Sequence, residues 1–79
     1  MPTVLRVGAY RFFFYAGDRN KPSHVHVERD EKIAKFWLEP VRLQRSGGFN
    51  RVDIKQIQSI VVENQEQLRE VWHEYFRNA

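Results

Sequence analysis

His24-Val25-His26-Val27-Glu28-Arg29-Asp30-Glu31-Lys32-Ile33-Ala34-Lys35-Phe36-Trp37-Leu38 is the stretch on which the fold turns. Two runs rich in β-branched and aromatic residues meet around Asp30-Glu31, which reads as a hairpin of strands over 24–29 and 32–38. Strand side chains alternate between faces, so a slip of one residue would exchange the two sets. The register that gathers Val25, Val27, Ala34, Phe36 and Leu38 into one apolar surface sends His24, His26 and Glu28 to the other, beside Ile33, Lys35 and Trp37. Pro40 has no N–H for a ladder and ends this ribbon. A short further strand is predicted over 41–43.

Toward the N-terminus, Val4 to Val7 and Tyr10 to Tyr15 flank Gly8-Ala9. Gly at the first position of a two-residue loop suits a type II′ hairpin. Its register places Leu5 and Val7 with Tyr10, Phe12 and Phe14 on one face, and Val4 and Arg6 with Arg11, Phe13 and Tyr15 on the other. Ala16 to Ser23 and Gln44 to Gly48 are rich in turn residues and read as loops. Gly47-Gly48 is too short a glycine signal for a phosphate loop, without the Lys and the flanking strand, and reads as freeing the chain to turn into the first helix.

Toward the C-terminus the period changes. Asn50 is suited to cap a helix, and Asp53 places a negative charge in its first turn. Ile54, Ile57 and Val61 recur at helical spacing, as do Leu68, Val71, Trp72, Tyr75 and Phe76. Two helices are predicted, about 51–62 and 65–77, because one rod could not lay both stripes on a small sheet. The expected architecture is one α+β domain: an antiparallel sheet of three to five strands over 1–45, then a helical half over 50–78 packed on one face. The face with Leu5, Phe12, Phe14, Val25, Val27 and Phe36 is the one the helices should cover.

Composition narrows the function classes. The 79 residues include no Cys, so disulfides cannot supplement a small core, and six Phe, three Tyr and two Trp must supply it. No apolar run is long enough for a signal peptide or a membrane helix, so the expected address is the cytoplasm, with no membrane partner. Net charge is +3, and it is uneven: residues 1–50 hold nine Lys/Arg against five Asp/Glu, residues 51–79 four against five. The excess positive charge lies in the sheet half; it permits nucleic-acid binding without requiring it.

Several of these segments together resemble a known family. Pro2-Thr3-Val4-Leu5-Arg6, Tyr10-Arg11-Phe12-Phe13-Phe14-Tyr15, Pro22 with His24-Val25-His26-Val27, Ala34-Lys35-Phe36-Trp37-Leu38 and Pro40-Val41 are similar to the small bacterial domain-of-unknown-function family 4160. Ser23 stands where that pattern more often has a second Pro. The resemblance implies a small cytoplasmic bacterial protein, often encoded beside another small protein, an arrangement that suggests a toxin–antitoxin-like pair. It brings no established activity with it.

The candidate binding residues are Arg11, Tyr15, His24, His26, Glu28, Lys35 and Trp37. His24 and His26, two apart on a strand, project from one face with Glu28. Imidazoles so placed can contact a phosphate or a metal, or exchange protons near neutral pH. The preferred reading is plainer: polar strand residues packing against Trp37. With no Cys and only His73 besides, neither a metal nor a cofactor is expected. Arg6, Arg11, Phe13, Tyr15, Lys35 and Trp37 complete an aromatic and basic face. Such a face can stack bases and neutralise phosphates; packing beneath Arg stems, helices or a partner is again preferred. Arg6 opposite Arg11 is unfavourable unless an anion or carboxylate intervenes. In the loop before the histidines, Arg19, Asn20 and Lys21 could touch an anionic partner, though a solvated loop is the plainer reading. No nucleophile signature surrounds Ser23, Ser46 or Ser59. Two functions are compatible with these residues: a non-enzymatic module docking another small bacterial protein, and, as the alternative, an RNA-binding protein or small ribonuclease using His24 and His26 with Arg11 and Lys35.

Overall fold

The computed structural model describes residues 3–15, 17 and 20–77. Of the loop expected over 16–23, Ala16, Asp18 and Arg19 lie outside the described residues, as do Met1, Pro2, Asn78 and Ala79. Five strands, β1 (Thr3–Val7), β2 (Tyr10–Phe13), β3 (His24–Arg29), β4 (Lys32–Leu38) and β5 (Val41–Arg45), form one sheet in chain order, every neighbouring pair antiparallel. Two helices come after them, α1 (Arg51–Glu63) and α2 (Gln65–Arg77).

The hairpin turns form where the sequence places them. Val7 pairs with Tyr10 across Gly8-Ala9, and Gly8 takes the left-handed φ of 58° that a side chain disfavours. Arg29 pairs with Lys32 across Asp30-Glu31, where Asp30 adopts φ 57°, a conformation Asp tolerates better than most residues. β3 and β4 pair in the expected register: His24 faces Trp37, Val25 faces Phe36 and Val27 faces Ala34.

Three details depart from expectation. Thr3 pairs with Phe13 but Leu5 with Phe12, so Val4 is the extra residue of a bulge. A bulge interrupts alternation, and Val4 packs against the core instead of joining Arg6 on the second face. β2 stops at Phe13, two residues short of Tyr15. β5 is longer than expected: a register shift opposite Lys35 and Phe36 leaves Gln44 as an extra residue and lets Arg45 pair with Lys35 rather than begin a loop.

Both helices cover the predicted apolar face. Phe12, Phe14, Val25, Val27, Phe36 and Leu38 are buried with Ile57 and Val61 of α1 and Leu68, Trp72 and Phe76 of α2. Phe49, which no periodicity singled out, joins them from the loop before α1. The Asn50 side chain accepts the Asp53 N–H at 2.8 Å, as its capping role requires. The helices part at Asn64, whose side-chain amide donates to the Ile60 carbonyl at 2.8 Å. This break lets each stripe approach the sheet separately. Gln65 then ties α2 to the end of β4 by donating to the Leu38 carbonyl at 2.7 Å.

A second tie joins the other end of the sheet to α1. Arg29 donates to Asp53 Oδ2 at 2.8 Å and to the Tyr10 hydroxyl at 2.9 Å. Its guanidinium also lies 5.1 Å from the Tyr10 ring and 5.3 Å from that of Phe49. The hydrogen bond to Asp53 raises the Arg29 pKa above its ordinary value, against the smaller lowering effect of burial.

The Gly47 backbone presses against β4. A Cβ there would meet the Ile33 carbonyl oxygen at 1.8 Å, and Gly47 also has φ 61°. Gly47→Ala should therefore lower unfolding free energy in urea by more than about 2 kcal/mol. Gly8→Ala, with φ 58° but open space around it, should cost only about 1–2 kcal/mol. Trp72→Ala should cost about 3–5 kcal/mol in the same measurement, since Trp72 packs on Phe14, His24 and Phe76 with ring centroids 5.0, 5.0 and 4.3 Å away.

Candidate functional site

Directly opposed residues share a face, so the register lays out the helix-free side of the sheet in rows. One row runs Arg6, Arg11, Glu28, Ile33; the next Thr3, Phe13, His26, Lys35, Arg45; the third His24, Trp37, Arg42. Tyr15 joins the second row from beyond the end of β2, its ring 5.3 Å from Phe13 and 4.4 Å from His26.

The rings of this face are packed from within the face itself. Phe13 is fully buried although it points away from the core. The Arg11 guanidinium lies 4.3 Å from its centroid, and the His26 ring stacks on it at 5.4 Å. The Lys35 ammonium stands 4.9 Å from the centroid of Trp37. Cations therefore lie over the rings, as amphipathic stems over aromatics do.

The two imidazoles have different environments. His24 is fully buried, 5.1 Å from His26, 5.8 Å from Trp37 and 5.0 Å from Trp72 of α2. Its Nδ1 lies 2.8 Å from the Pro22 carbonyl oxygen. A carbonyl only accepts, so Nδ1 carries the proton and donates it. His26 retains 9% exposure and is the imidazole that reaches the surface. Glu28 turns away from both: its Oε1 receives Arg11 Nε at 2.9 Å and the Arg11 NH2 group at 2.7 Å. Arg11 donates in addition to Thr3 Oγ1 at 3.2 Å. The carboxylate thus occupies the place that relieves Arg6 opposite Arg11. Among the described residues no group of three His, Cys, Asp or Glu side chains is arranged to hold a metal.

Beside His26 the face dips into a hollow of about 330 Å³, lined by Tyr15, Lys21, His26, Ile33, Lys35 and Arg45. Among the described residues no carboxylate lines it. Its chemistry is that of a cationic seat with hydrogen-bonding groups at the rim. Of the residues singled out from the sequence, Tyr15, His26 and Lys35 line the hollow, Arg11 and Glu28 engage each other, and His24 and Trp37 serve the packing. Sequence reasoning missed Arg45, which it placed in a loop, and Arg42 opposite Trp37. Alternation from Val41 signals Arg42 but would send Arg45 to the other face; only the register shift between Lys35 and Phe36 brings Arg45 opposite Lys35.

The model of the family described as Domain of unknown function (DUF4160) matches residues 9–73. The chain belongs to the DUF4160 family. The matched span holds β2 through β5, α1 and most of α2, and therefore every residue lining the hollow. No curated protein and no solved structure matches the chain.

Burial of the first imidazole has a direct consequence for this DUF4160 domain. His24→Ala should lower unfolding free energy by about 2–4 kcal/mol, through the lost ring contacts and the Pro22 carbonyl left without its donor. A double-mutant cycle on Arg11 and Glu28 should return a coupling below about 1 kcal/mol, as for other partly exposed ion pairs.

Proposed function

We propose that this domain is a non-enzymatic binding module of the bacterial cytoplasm, docking an acidic protein partner on the helix-free face of its sheet as one member of a toxin–antitoxin-like pair. The observation that carries the reading is charge. Among the described residues, Arg6, Arg11, Lys35, Arg42 and Arg45 stand in the rows of this face against Glu28 as its one carboxylate, and Arg11 already engages that carboxylate. Complementary charge steers association and selects the partner. Half-buried Trp37, Tyr15 and Ile33 supply apolar contact among the cations. Aromatic residues and Arg are the types that dominate interface energetics.

RNA is the second reading, favoured by the same cations. Two observations weigh against it. Base stacking needs open ring faces, whereas Arg11 lies over Phe13 and Lys35 over Trp37. A two-imidazole cleavage mechanism needs both groups at the substrate, whereas His24 is fully buried.

Lysine-directed cross-linking in the native host, read by mass spectrometry, tests the docking. A neighbour-encoded protein should be recovered joined to Lys35 or Lys21, with yield falling at least tenfold in Arg42→Glu. Cross-links confined to Lys55 on α1 would overturn the use of this face. Recovery of RNA with no protein would replace the first reading by the second.

A further inference from the structure

Resting on the docking reading, we propose that the hollow is a carboxylate anchor: it seats an Asp or Glu side chain presented by an acidic segment of the partner. The reasoning begins with a local cost. Lys35 and Arg45 are directly opposed on neighbouring strands. Like charges in that relation are destabilising. For Arg6 and Arg11 the same problem is relieved by Glu28. For Lys35 and Arg45 no carboxylate of the described residues forms an ion pair, and among the described residues Lys35 meets instead the ring of Trp37. Lys21 brings a third cation to the same hollow. A structure that holds Lys35 and Arg45 beside one concavity is stabilised when an anion enters it.

Shape and surroundings select the source of that anion. The hollow's volume of about 330 Å³ admits a side chain. Ile33 on its wall suits the methylene stem of an acidic residue, while the cations and Tyr15 suit its head. A nucleic-acid strand would bring bases as well, and of the rings that could stack them Phe13 already carries Arg11 and Trp37 carries Lys35. A peptide needs no such platform.

The test titrates the full chain with a hexa-aspartate peptide, followed by Trp fluorescence and by backbone amide shifts of β4 and β5. Lys35 lies against Trp37, so an occupant that draws on Lys35 should change the emission. Binding should saturate at low salt and weaken at least tenfold in about 0.3 M salt. Arg45→Glu should weaken it at least tenfold, and should leave the thermal midpoint unchanged or raise it, because Lys35 then faces an opposite charge. Lys35→Gln, a milder change, should weaken binding in the same direction. Peptide affinity unchanged in Arg45→Glu, no binding at all, or a midpoint lowered by Arg45→Glu would each overturn the anchor. An oligouridylate that binds where the peptide does not would assign the hollow to nucleic acid and overturn it too. The two readings separate cleanly: if Arg45→Glu still cross-links the partner at the original yield, docking stands and the anchor falls. If the peptide binds but no partner is joined to this face, the anchor survives as a carboxylate site and docking falls.

Discussion

The central strand is buried on both sides, and its alternation is the constraint on which the rest of the structure depends. β3 has β2 along one edge and β4 along the other. Val25 and Val27 go to the helices, while His24 and His26 go to the opposite layer, and all four are buried. A slip of one residue would put two imidazoles under Ile57 and Leu68 and two valines among cations. The apolar loss and the unpaired polar groups would then act together against that register.

The two layers reach burial by different means. On the helix side, β-branched and aromatic side chains interlock with α1 and α2 in the ordinary manner of a small core. On the other side there is no third layer of secondary structure among the described residues. Rings shield one another, and the charged ends of Arg11 and Lys35 lie over Phe13 and Trp37. A chain of this size cannot build two full cores, and this solution leaves the second face with an aromatic floor and a cationic surface. Much of the positive charge read from the sheet half of the sequence thereby becomes a property of one face.

Much of this was legible beforehand, for identifiable reasons. Apolar alternation in 24–38, the Gly8 turn, the Asn50 cap and the helical stripes are local signals, and the hairpin registers and the helix boundary near Asn64 agree with them closely. What escaped was written in no local pattern. Val4 changes side because of a bulge. Phe49 is buried because α1 begins beside the sheet. Arg29 finds Asp53 across 24 positions of sequence. The site was visible in part: Tyr15, His26 and Lys35 could be grouped by parity, but Arg45 joined them only because β5 continues past Leu43 through an irregular register.

Periodicity, turn residues and a capping side chain act over a few bonds, so strand, hairpin and helix identity, and the division of the central ribbon into oily and polar sides, could be read from the chain alone. Whether an imidazole on the polar side is exposed or enclosed, which cation faces which, and where the charged surface forms a concavity depend on distant segments arriving at one place. Trp72 enclosing His24 and Arg45 arriving opposite Lys35 are of that kind. Packing and Coulomb energies depend on distance in space, and only the folded chain sets that distance.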